Sequence, residues 1–462
     1  MVGRAPGPSI RLRGRPSGPR LAGAGAPGGA GALSLSPKAF AARTFLALGN
    51  RNYRLFFAGQ TISVSGTWLQ VTAQAWLILQ LTHSPLMLGL LVTVEFLPNT
   101  LLQPLGGLIA DRVSKRETLM VTQACFALVA AGLGVSVALG VARPWEVFLA
   151  VTLIGLISVI DSPTRQAFVT EMVGPGQLPN AVALNSTIFN AARVVGPALA
   201  GILIATVGTA LCFQLNAVSY LAVIAGLWLM RPQELHRPAG NHPSGRALTQ
   251  LREGIAYVRH TPEVALVIVL MGLVATFSYN LTLMITSFDR YGLHAGAPGL
   301  GVLTSALGVG ALLGALGVAY LGRPTFRVLL VGCAVFGAFL ILAGRSPSLP
   351  LAAGLLAVAG VGMTVFSAMC NSVIQTRTPA HLRGRVLALY IWVFLGTTPI
   401  GSPLFGAIEQ GWGSRTALLL AGLVAVLAAL GAWLWRRGRP PGRRVYPAPV
   451  PLVPGVAEVP ST

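Results

Sequence analysis

Charge is what this chain has least of. Only 10% of its 462 residues are charged, with 12 acidic side chains against 33 basic ones. Ordinary soluble domains carry about a quarter charged residues, and so few charges could not cover a water-exposed surface of this length. Cysteine is scarce too. Cys125, Cys212, Cys333 and Cys370 all fall inside apolar runs without metal-type spacing, which reads them as packing residues and predicts no metal site. There are six histidines, most of them outside the apolar runs, and neither a His-Glu-x-x-His nor a Gly-x-Ser-x-Gly motif occurs. That argues against an intramembrane protease or lipid transferase, so no enzyme is expected. The phosphate-cradling pattern Gly-x-x-x-x-Gly-Lys-Ser/Thr is missing as well, which removes ATP as an energy source, and nothing calls for a cofactor.

Hydrophobic residues make up 54% of the chain, and its mean hydropathy is +0.71. Apolar runs of about 20 residues recur, each able to cross a hydrocarbon core of about 30 Å. Twelve spans are expected, at 54–80, 86–110, 117–141, 145–169, 180–207, 210–230, 263–288, 298–321, 326–344, 349–373, 385–408 and 412–435. Gly and Pro punctuate several of them, as membrane helices permit. The fold class is therefore an all-α polytopic membrane protein. Its twelve transmembrane helices form two six-helix, pseudo-symmetric bundles.

The basic excess could suggest nucleic acid, but its distribution does not. Arg143, Arg290, Arg345 and Arg415 stand in the loops of one side and Arg193 lies within a span. The other basic residues lie in the segments that share a side with the two termini, or at span ends bordering them. By the positive-inside rule both termini are cytoplasmic, in the inner or plasma membrane, with anionic headgroups as partners and no nucleic acid. Residues 1–50 are rich in Gly, Pro, Ala and Arg, without the apolar h-region of a signal peptide. They predict a disordered basic cytoplasmic tail or an upstream start-codon artefact. The first bundle follows at 51–231. A cytoplasmic linker at 232–262 has Leu248, Leu251, Ile255 and Val258 at helical spacing, which predicts an amphipathic helix on the inner surface. The second bundle covers 263–437 and a disordered tail 438–462. The halves also resemble each other: QLPNAVAL at 177–184 leads into GPALAG at 196–201, as HLRGRVLAL at 381–389 leads into GSPLFG at 401–406.

The charges that interrupt the second and third spans read GGLIADRVSKRE, residues 106–117. In that position the stretch resembles the signature loop of the major facilitator superfamily, and the resemblance covers nearly everything from Asn50 to Arg437. Asn50-Arg51-Asn52-Tyr53-Arg54-Leu55-Phe56, Asp161-Ser162-Pro163-Thr164-Arg165-Gln166, and Leu178 to Ser186 running into Asn190 to Pro197 are similar to the enterobactin-exporter-like branch, which includes transmembrane secretion effectors. That resemblance implies proton-driven export of siderophores, macrolides or other amphipathic small molecules. Two departures weaken the antiport inference. The matching second-half loop, Gly317 to Pro324, lacks the acidic residue, and Ala200 replaces a glycine of the antiporter pattern.

Gly107, with no Cβ, is expected to let the second helix approach a neighbour. Asp111 is expected to accept hydrogen bonds from a helix N-terminus across the bundle interface. With Arg112, Lys115, Arg116 and Arg165 these residues form a latch that breaks when the halves rock; the same charges would also serve simply to fix orientation. Arg165 has Asp111 or Asp161 as partner. Glu95 stands near mid-membrane, where an ionised carboxylate is expensive, and is the first candidate for proton coupling, alongside Asp161 and Arg193. A hydrogen-bonded structural Glu95 satisfies the spacing equally. Arg193, near the middle of the fifth span, pairs with Glu95 or Asp161, attracts anionic cargo, or is a structural tie. Gly196, Pro197 and Gly201 form the hinge of that span. Gln60, Trp68, Gln70, Gln74, Asn99, Gln103, Asn280 and Asn371 are pocket candidates, and the same residue types also serve as ties between helices. The function expected is a secondary active exporter of amphipathic small molecules, working as a monomer in exchange for protons. A non-transporting receptor or scaffold, and an importer of a small solute, remain as alternatives.

Overall fold

The computed structural model describes Gly3 and residues 45–236, 247–321 and 325–438. Most of the expected N-terminal tail, the end of the C-terminal tail, linker residues 237–246 and Gly322 to Pro324 of the second-half loop lie outside them. Among the described residues there are helices and no strands. We label the α-helices α1 (Arg51–Thr82), α2 (Pro85–Ala110), α3 (Lys115–Ala138), α4 (Pro144–Thr206), α5 (Thr209–Trp228), α6 (Ala247–His260) and α7 (Pro262–Ser278). They continue with α8 (Leu281–Ser287), α9 (Gly296–Leu321), α10 (Phe326–Gly344), α11 (Leu349–Arg377), α12 (Ala380–Gly396), α13 (Thr398–Trp412) and α14 (Ser414–Arg437).

Local chemistry sets the helix ends. Asn50 caps α1 by accepting from the backbone N–H groups of Asn52 and Tyr53 at 2.9 and 3.2 Å. Ser84 does the same for α2 from Met87 N at 3.3 Å, with Pro85 just inside, where its missing N–H is harmless. His83, in the left-handed region at φ 54°, ends α1.

Ten helical runs are long and apolar enough to cross a membrane among the described residues. The difference from the expected twelve falls at α1 and α4. The 32 residues of α1 include buried Asn52, Gln60, Gln70 and Gln74, which dilute its hydropathy. The spans expected at 145–169 and 180–207 belong to a single run, the 63-residue α4, interrupted at Gly174, whose φ of 70° and ψ of 173° are not helical. At about 1.5 Å per residue the run is roughly three times the thickness of a hydrocarbon core. Gly174 divides it into a first arm (144–173) and a second arm (175–206).

Helices α1 to α5 pack among themselves, as do α7 and α9 to α14, while α2 lies on α13 and the second arm of α4 lies on α9. These two seams have a direction. The Ser84 hydroxyl donates to Gln410 Oε1 at 2.7 Å, and Gly406 lies against Pro85 and Leu86. On the other seam, Ser305 Oγ donates to the Val194 carbonyl at 2.8 Å, and a Cβ at Gly201 would stand 2.7 Å from Ala297 O. The closest contacts thus gather at the end away from residues 111–114, here the far end as opposed to the loop end. The buried apolar core has the same polarity. One large cluster joins Trp76, Leu88 and Ala200 of the first set to Leu300, Leu303 and Phe405 of the second. A separate cluster of Tyr53, Phe56, Leu119, Phe168, Met172 and Leu227 fills the loop end of the first set alone.

Candidate functional site

The loop-end charges are shared out within the first set of helices. Lys115 Nζ lies 2.6 Å from Glu171 Oε1. Arg116 donates from Nε to Leu227 O at 2.7 Å and from Nη2 to Trp228 O at 3.1 Å, placing a cation on the negative C-terminus of α5. Asp161 is buried and fully used: Oδ1 accepts from Thr122 Oγ1 at 2.7 Å and Gln123 Nε2 at 2.9 Å, while Oδ2 accepts from Arg165 Nε at 3.0 Å. Of its two expected partners, Arg165 therefore takes Asp161. Asp111 and Arg112 are exposed, and neither side chain has a hydrogen-bond or ion-pair partner among the described residues. Among the described residues, the expected bond from Asp111 across the interface is not made in this conformation, and the loop ends of the two halves share no core.

Gly107 is a correction. A Cβ there would meet nothing within 4 Å, whereas one on Gly106 would stand 1.9 Å from Val159 O. The close approach of α2 to α4 is made by the neighbouring residue, which two adjacent glycines in a sequence do not distinguish. The hinge residues also divide. Gly196 meets Trp68 and Leu69 of α1 in its own half, whereas Gly201 and the Pro197 carbonyl meet Ala297 and Gly301 of the other.

The sequence motif from Asn50 to Tyr53 acts as a set of staples at the loop end. Asn50 Nδ2 donates to Met172 O at 2.7 Å, and Asn52 exchanges two bonds with the Arg231 backbone at 2.9 and 3.0 Å. Tyr53 OH donates to Ala181 O at 2.9 Å.

Among the pocket candidates, Asn280 is buried and occupied, donating to Thr276 O at 2.8 Å and accepting from Ser402 Oγ at 2.6 Å. Gln70 is buried and accepts from Asn216 Nδ2 at 2.7 Å within its own half. Asn371 accepts from Gln375 one turn on. Asn280 and Gln70 are thus ties between helices, whereas the Asn371 bond stays within α11. Gln60 and Gln74 are buried, with Nε2 and Oε1 respectively unpartnered among the described residues. Asn99 and Gln103 are half-buried on α2. Half-buried Glu95 has no hydrogen-bond or ion-pair partner for its carboxylate among the described residues; its backbone carbonyl packs against Gly155.

Trp68 and Arg193 come together at the seam. The guanidinium carbon lies 5.8 Å from the centroid of the Trp68 ring, which packs edge-to-face with Phe189, their centroids 5.6 Å apart. Arg193 Nη2 reaches Met363 Sδ at 3.8 Å, across the boundary between the halves. Tyr279 OH donates to Met363 O at 2.9 Å and its ring stands 5.5 Å from Phe394. Neither Glu95 nor Asp161 pairs with Arg193, so that alternative is set aside. Phe189, Tyr279, Met363 and Phe394 were not singled out in the sequence, since an aromatic or Met inside an apolar run carries no signal of its own.

Two further residues escaped. Asp289, in a π-helical turn (Phe288–Leu293), and Glu409 on α13 are buried, and none of their four carboxylate oxygens has a hydrogen-bond partner among the described residues. The expected span edges fell at 288 and 408, one residue short of each.

A family description, transmembrane secretion effector, matches residues 42–438. The chain belongs to that family. The multidrug efflux pump Tap of Mycolicibacterium fortuitum is 27% identical over 387 residues, covering 80% of this chain and 94% of that protein. The enterobactin exporter EntS of Escherichia coli O1:K1 / APEC is 25% identical over 402 residues, 84% of this chain and 94% of that one. Among solved structures, a bacterial homolog of the human lysosomal transporter Spinster, inward-facing and unoccupied, aligns with a TM-score of 0.62. Its identity is 18%, covering 87% of this chain and 98% of that one. This member of the secretion effector family is an integral membrane protein with the major facilitator fold. Its family is one of transporters for small molecules, not of enzymes.

Proposed function

We propose that this chain exports amphipathic small molecules across the cytoplasmic membrane by alternating access, as a monomer and in exchange for protons. In this reading twelve spans form two six-helix bundles, α1 and the two arms of α4 each count as crossings, and the loop end and both termini are cytoplasmic. The observation that carries it is the polarity of the core. Apolar packing continues across both seams at the far end and separates at the loop end, the arrangement of a carrier closed on one side and open on the other. The efflux and export named for Tap and EntS support the direction. Asp111, unpartnered among the described residues, then belongs to a latch that closes with the loop end, and Glu95, half-buried and without a partner among the described residues, is the first candidate to carry the proton.

Inverted vesicles with an imposed proton gradient and a pH-sensitive dye test this. Amphipathic drugs and siderophores, added one at a time, are expected to release protons with the wild type and not with Glu95→Gln. An equal response from the variant moves coupling to another residue. No response to any compound across a broad panel rejects export by proton exchange.

A further inference from the structure

Arg193 offers up to five N–H donors and keeps its charge at physiological pH. Its described contacts are the Trp68 face and a thioether sulfur at 3.8 Å, which is a weak acceptor. Among the described residues no carboxylate forms an ion pair with it, and Asp161 is committed to Arg165, Thr122 and Gln123. A half-buried cation near mid-membrane is stabilised by a counter-charge, and an aromatic face supplies only part of one. The surrounding surface is chemically specific. Trp68 and Tyr279 are half-buried and Phe189 is 51% exposed, so aromatic surface lies next to the guanidinium from both halves.

We propose that Arg193 is an anion subsite: the cargo carries a carboxylate, sulfonate or phenolate beside a planar apolar body. The anion pairs with the guanidinium, and the body lies against Trp68, Phe189 and Tyr279. Since Arg193 already touches Met363 across the seam, an anion bound there competes with a contact between the halves. Occupancy is thereby tied to the seam that must move. Cationic cargo of the same shape is disfavoured by repulsion. The role in transport rests on the export reading above; the binding does not.

The test uses the full chain in detergent or lipid nanodiscs and three probes of one shape: 1-pyrenebutyrate, 1-pyrenebutanol and 1-pyrenebutylamine. Binding is read as saturable energy transfer from tryptophan to pyrene that excess unlabelled competitor abolishes. The wild type is expected to bind the carboxylate at least about tenfold more tightly than the alcohol, the size of a hydrogen bond to a charged partner, and the amine most weakly. In Arg193→Gln the preference for the anion over the alcohol should disappear. Arg193→Lys should keep part of it, and Trp68→Leu should weaken all three probes while preserving their order.

Equal binding of the three probes by the wild type overturns the proposal without needing any variant to fold. So does a preference that survives in Arg193→Gln, or the absence of saturable binding by all three. Anion-selective binding that depends on Arg193, with no movement of pyrenebutyrate in vesicles, supports the subsite and rejects its role in export. Transport without anion preference leaves export standing and rejects the subsite.

Discussion

Asp161 holds three side chains at once, from its own helix and from α3, and little water reaches it. Removing one partner of a buried ion pair destabilises strongly because the other charge stays behind. Asp161→Asn is therefore expected to lower stability by about 3 kcal/mol, read as a fall in the melting temperature of the purified protein. Asp111→Asn, on a side chain exposed and unpartnered among the described residues, should leave that temperature unchanged and affect transport alone. Sequence reasoning placed Asp111 in the latch and Asp161 among the candidates for proton coupling, since spacing shows neither burial nor partners. Glu409 makes the opposite case. It is only 3% exposed and lacks hydrogen-bond partners among the described residues. A neutral amide is cheaper to bury than a carboxylate, so Glu409→Gln should melt at the same temperature or higher. A clear fall would reveal an interaction that the carboxylate alone can make.

Between helices, the small residues decide how close the axes come. Gly106 and Gly107 are adjacent and chemically identical, yet only Gly106 faces the Val159 carbonyl. Gly106→Ala should force α2 away from α4 and lower stability. Gly107→Ala should be neutral or stabilising by roughly 0.5 to 1 kcal/mol, as for glycine replaced within a helix. Thermal unfolding of the pair side by side checks both. Most helices were legible beforehand, because a run of about 20 apolar residues can do little else in a bilayer. The turn at Gly174 lies inside MVGPGQLP, whose glycines and prolines mark a break without showing that helix resumes at once on both sides. Which face of α2 meets α4 was not legible, since both faces of α2 read as apolar.

For the whole molecule, the far end is the closed one. Ser84 and Gln410 face each other across it within a hydrogen bond. Cysteines at these two positions, in a background free of the native four, should cross-link readily in the resting protein. The link should stop transport until it is reduced. Cross-linking with no effect on transport would show that this end need not open. Residues 51–231 and 263–437 were expected to be separate bundles from the linker between them, with the internal repeat in support. Which residues meet across the seams was not foreseen, because they are far apart in the chain, by 111 positions for Val194 and Ser305.

The linker helix α6 belongs to the second half. Glu253 pairs with Arg385, and Tyr257 OH donates to Arg377 O at 2.8 Å. At the other end of the linker, His236 N donates to Glu171 O at 2.7 Å, which holds it to the first half. Each half thus grips its own end of the connection. The chain between them can reach at most about 3.6 Å for each residue. A gene split between codons 240 and 241 and expressed as two polypeptides should therefore still yield one working carrier, assembled in the membrane from its parts.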